Sequence, residues 1–149
     1  MDLIDDFISS FNKYSNQINR IADPSEKINL AIQYYFKIYV ENWELTYVFL
    51  QEQNKCKNNE LQDKIDQFKI KTISNFRSII NQEELENKLN NINAENLYCL
   101  LIGSINNYLR LPNIKELLLK NDSALKEKNE EFLHFLQLTI KTLILKKTR

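Results

Sequence analysis

One glycine, two prolines, two cysteines and one histidine are all that 149 residues hold of the types that most constrain backbone or carry metal and nucleophilic chemistry. So little glycine and proline leaves no turn chemistry for a series of β-hairpins, which points to an all-α protein. A glycine-rich phosphate loop is excluded outright. Glu131 and His134 are the only pair with metal-ligand spacing on a helix. A di-iron bundle needs a second such pair, and no second histidine exists to make it, so this is read as an i, i+3 surface pair. Cys56 lies between Lys55 and Lys57, whose charge favours a thiolate, but no base can be assigned to it. Cys99 reads as a small apolar residue in a helix. Neither catalytic residues, nor a metal site, nor a cofactor is expected.

Charge of one sign is also lacking, since 20 basic residues balance 20 acidic ones. No overall field draws the chain to nucleic acid or to an anionic membrane. The single basic cluster, Lys146-Lys147-Thr148-Arg149, suits the last turn of a helix. No apolar run approaches the roughly 18 residues of a membrane span. Met1 is followed by Asp2, Asp5 and Asp6, unlike a secretory signal, and two distant cysteines fit reduced thiols. The expectation is a soluble cytoplasmic protein with one domain over residues 1–149.

What the chain does have is helical periodicity. Ile4, Phe7, Phe11, Tyr14, Ile18 and Ile21 repeat at spacings of three and four, giving one amphipathic helix. Asp23-Pro24-Ser25-Glu26 has the form of a helix start, with Asp23 as cap and Pro24 in the first helical position. Apolar residues then recur to about Leu50. That is long for a globular helix, so a break is predicted near Glu41-Asn42. A polar loop over Asn54–Asn59 precedes a helix marked by Leu61, Ile65, Phe68, Thr72, Phe76 and Ile79. Asn81 and Glu84 suggest a short capped helix ending near Asn90-Asn91. Asn93 caps the next, Pro112 breaks it near Arg110, and a short turn carries Ile114, Leu117 and Leu118. A last helix begins at Asp122 or Ser123 and runs to about Lys146. Six to eight helices are expected in all.

The last two long helices are apolar on more than one face. Leu97, Leu101, Ile105 and Tyr108 form one stripe around Gly103, while Cys99, Leu100, Gly103 and Asn107 form another of mainly small residues. In the final helix Phe132, Leu133, Leu136, Ile140, Leu143 and Ile144 make one face, and Phe135, Leu138 and Leu145 a second. Glycine in a helix interior costs about 1 kcal/mol relative to alanine, so its single use here suggests a close helix approach. A symmetric dimer that covers the second face of each helix accounts for both features.

The run DPSEKINLAIQYYFKIYVENWELTYVFLQE (Asp23–Glu52), followed by a long helix, NAENLYCLLIGSINNYLRL (Asn93–Leu111) and a final apolar helix, resembles the C-terminal regulatory domain of TetR-family transcriptional regulators. The resemblance spans nearly the whole chain and rests on helix order and length. It implies a helical bundle whose last two long helices build a four-helix interface with a second copy. It also implies a pocket for a small apolar or amphipathic effector. The family's helix-turn-helix has no counterpart here, so DNA could be engaged only through a segment outside this sequence, and no DNA-contacting residue is assigned. Trp43 stands where family members often carry proline.

Tyr35, Tyr39, Trp43 and Tyr47 on the second helix, faced by Phe68, Thr72 and Phe76, are the pocket candidates. Aromatic rings with polar tips line an apolar cavity and still orient a ligand. The same spacing is equally that of ordinary core packing. Three readings stay open: an effector-binding and dimerisation domain, a constitutive helical interaction module without ligand, and a metal-binding bundle.

Overall fold

Residues 2–44, Tyr47, 59–80 and 93–144 are described by the computed structural model, and among them lie six α-helices and no strand. They are α1 (Asp2–Asn19), α2 (Pro24–Glu41), α3 (Asn59–Ile80), α4 (Ala94–Leu109), α5 (Pro112–Lys120) and α6 (Ala124–Ile144). The short helix expected from Asn81, the loop holding Cys56, and Leu145 fall outside the described residues.

The helix starts follow the sequence signals. The Asp23 carboxylate accepts from the Glu26 amide at 3.3 Å, with Pro24 in the first turn. Asn93 accepts from the Asn96 amide at 2.7 Å. Asp122 accepts from the Ala124 amide at 2.9 Å to open α6. Each bond satisfies an amide that the helix ladder leaves without a partner. The predicted break is also present. α2 ends at Glu41, where the Asn42 amide and its side-chain Nδ2 both donate to the Ile38 carbonyl, at 3.1 and 2.8 Å.

Between α5 and α6 the chain turns on Asn121, whose φ of 50° is the one positive value recorded for a non-glycine residue. The Asn121 amide donates to Leu118 and the Asp122 amide to Leu117, the paired bonds of a Schellman C-cap. Asparagine here occupies the left-handed position usually given to glycine, where its short polar side chain is tolerated.

α2 is the hub, packed against α1, α3, α4 and α6. Ile28, Ala31, Ile32, Tyr35, Phe36, Ile38 and Tyr39 are all buried, and Glu26, Gln33, Lys37 and Glu41 are left to solvent. One contiguous apolar core joins these to Phe11 and Ile18 of α1, Phe68 and Phe76 of α3, Leu101 and Ile105 of α4, Ile114 of α5, and Leu136 and Ile140 of α6. On the broad apolar face of α6 Leu136 and Ile140 are buried, whereas Leu143 is 48% exposed. No helix among the described residues is long and apolar enough to cross a membrane.

Asn121→Ala is expected to lower stability by about 1 kcal/mol, because alanine keeps the Cβ that strains the left-handed region and lacks the polar side chain that offsets it. Asn121→Gly is expected to match or exceed the parent. Urea denaturation of both variants measures this, and equal losses in the two would show that the turn conformation is not what matters.

Candidate functional site

The aromatic residues of α2 face two ways. Tyr35 meets Phe11 at 5.1 Å and Phe76 at 4.9 Å between ring centroids, and Phe11 meets Phe68 at 5.1 Å. These four rings from α1, α2 and α3 fill one side of the hub with tilted and edge-on contacts, each worth about 0.5–1.5 kcal/mol beyond area burial. On the other side Phe36 meets Tyr108 and Phe132 at 5.9 Å each, and Tyr108 stacks on Phe132 at 4.0 Å. The Tyr108 hydroxyl donates to Asn129 at 2.7 Å, so α4 and α6 are joined by a stack and a hydrogen bond.

The seven pocket candidates are divided by this arrangement. Tyr35, Phe68, Thr72 and Phe76 come together, with Phe11 among them, and Tyr39 is buried at 5% exposure. Thr72 is fully buried, and its hydroxyl donates to the Phe68 carbonyl of its own helix at 2.9 Å rather than pointing a free donor inward. Trp43 and Tyr47 lie beyond the end of α2, edge-on at 5.5 Å, and the Tyr47 hydroxyl donates to the Leu109 carbonyl on α4. Lys115 sits 5.5 Å from the centre of the Tyr47 ring. This second group anchors the α4–α5 turn and does not join the first.

The space beside Tyr35 is small. A gap among Ser15, Ile18, Asn19, Tyr35 and Asn75 measures about 10 Å³, and the one beside Phe11, Tyr14 and Tyr34 is too narrow for water. A groove of about 420 Å³ opens instead on the surface, between Phe36 and the start of α6, floored by Phe36, Leu125 and Leu133 and rimmed by Asp122, Lys126 and Asn129. Phe36 carries both the second aromatic cluster and the floor of this groove. Its position one residue after Tyr35 puts it on the neighbouring helix face.

The residues assigned to a dimer face are placed as follows. On α4, Cys99 and Asn107 are exposed, Gly103 is partly exposed, and Leu100 is half-buried against the core. Among the described residues a Cβ built at Gly103 would meet nothing within 4 Å, so no close approach between them requires the glycine. On α6, Phe135 and Leu138 are 60% and 61% exposed. Glu131 and His134 are both exposed, and no group of three or more His, Cys, Asp or Glu able to hold a metal occurs among the described residues.

No protein-family model, curated protein or solved structure searched matches this chain.

Burial raises the phenols. Tyr98 is pushed up to about 12 by desolvation, with a smaller contribution from Cys99, and Tyr108 to about 12 by desolvation and then Glu131. Tyr35 and Tyr39 are raised further, chiefly by desolvation. Each folded pKa lies above the ordinary 10.0, so the folded state keeps protons that the unfolded chain releases. Stability is therefore expected to be level below about pH 10 and to fall as pH rises through about 12. Tyrosinate absorbance and helical circular dichroism followed together check this: ionisation and unfolding should coincide. Tyrosines titrating at their ordinary value with helix intact would contradict the packing described for them.

Proposed function

We propose that this chain is the effector-binding and dimerisation domain of a TetR-like transcriptional regulator. The observation that carries the reading is the pair of apolar or small-residue faces on α4 and α6 that hold exposed residues among those described. Phe135 and Leu138 expose more than half their area, and Gly103 has open space above it. Large apolar side chains exposed together on one helix mark an interaction surface more often than isolated ones do. A second copy of the chain is the occupant that the helix order suggests, giving a four-helix interface with a two-fold axis. The break after Glu41 and the aromatic hub of α2 agree with the helix order on which the resemblance rests.

In this reading a small apolar or amphipathic molecule binds among the helices between Ala31 and Ile80. It shifts the balance between two packings of α1, and α1 carries the change to a DNA-binding segment outside this sequence. The shift is limited to the difference in the ligand's affinity for the two packings. The constitutive module without ligand is favoured by one specific observation, the small size of the gaps that Tyr35 lines among the described residues. An effector there would have to open the core, whereas the groove beside Phe36 would admit one without doing so.

Gly103→Ala tests the interface through two effects of opposite sign. Because no described residue opposes the added methyl, the isolated fold is expected to gain about 1 kcal/mol in denaturation at dilute protein. Self-association measured by sedimentation should weaken, since helices packed against Gly103 would have to separate. Phe135→Glu should dissociate the dimer with helix content unchanged. Self-association unaffected by either variant would remove α4 and α6 as the interface.

A further inference from the structure

Three helices bring polar side chains together at a partly buried seam. α1 supplies Ser15, α2 supplies Tyr35, and α3 supplies Asn75, whose side-chain amide donates to Ser15 Oγ at 2.8 Å. Tyr35 is 2% exposed, and its hydroxyl lies beside Asn75 without a hydrogen bond of good geometry to any group. A buried hydroxyl left without a partner costs about 1–3 kcal/mol, and native interiors rarely leave one so. The phenol stays protonated, because burial pushes it well above its ordinary value, and it therefore has a proton to donate. The gap of about 10 Å³ that Tyr35 lines with Ser15, Ile18, Asn19 and Asn75 is close to the roughly 10–15 Å³ that one water requires. Its lining offers two or more polar partners, the usual complement for an internal water.

We infer that this gap is a binding site for a single long-lived water molecule, which accepts from the Tyr35 hydroxyl and bonds to Asn75 and Ser15. The water joins α1 to α2 and α3 across an otherwise aromatic seam. It fixes the register of α1 on the hub, since sliding α1 would strand the Tyr35 hydroxyl again. This holds whether or not any effector acts through α1.

Two measurements on the whole chain test the site. Tyr35→Phe keeps the ring and removes only the hydroxyl, and it is expected to lower the folding equilibrium constant about five- to tenfold, the loss of one net hydrogen bond. An unchanged or raised constant would mean that the hydroxyl is unpaired, and would overturn the site. Water–protein cross-relaxation in the NMR spectrum should show a long-lived water near the Asn75 side-chain amide, absent in the Tyr35→Phe variant. If the variant is destabilised but the parent shows no such water, Tyr35 bonds a protein group directly and the site is again overturned.

Discussion

Burial of α2 on almost every side is the constraint from which the rest follows. Among the described side chains of α2 only Glu26, Gln33, Lys37 and Glu41 are exposed, so the rest must be covered by other elements, and α1, α3, α4 and α6 supply the cover. Its aromatic residues then divide by direction. Tyr35 turns toward α1 and α3, and Phe36 toward α4 and α6. Rings of this size fill space with few side chains, so a short helix can organise a core of several layers. The cost is that hydroxyls travel inward with the rings. Tyr35 is where that cost is most visible, because its oxygen reaches a part of the interior with room for little more than a water.

The helices and their ends were largely legible in the sequence because they depend on local chemistry. Asp23 with Pro24, Asn93, and Asp122 cap where side-chain oxygen next to an apolar repeat says they should. Asn42 ends α2 through its own amide. Asparagine was harder to interpret. Its abundance reads as compositional bias, yet Asn42, Asn93 and Asn121 each end or begin a helix. In a chain with one glycine, asparagine takes over the left-handed and capping positions that glycine commonly fills.

The site was less legible, since a period of three to four gives a helix face but not its neighbour. Tyr35, Phe68, Thr72 and Phe76 do converge, but Tyr47 follows the break at Asn42 and bonds to α4, with Trp43 edge-on against its ring. Leu143 shares a helical phase with Leu136 and Ile140 and is nevertheless exposed, because phase says nothing about where the covering helix stops. Gly103 shows the same limit. Its rarity signals a need for close approach, and among the described residues no neighbour comes near it. Interactions between copies leave no trace in one chain beyond such uncovered positions.

Gly103, Phe135 and Leu138 therefore carry the proposal that the chain pairs with a second copy. Native mass spectrometry of the unmodified chain across micromolar concentrations tests it most directly. A dimer is the predicted species, and any small mass retained by it would identify the class of effector. A monomer throughout that range would contradict the pairing and, with it, the regulatory reading built on the two outer faces.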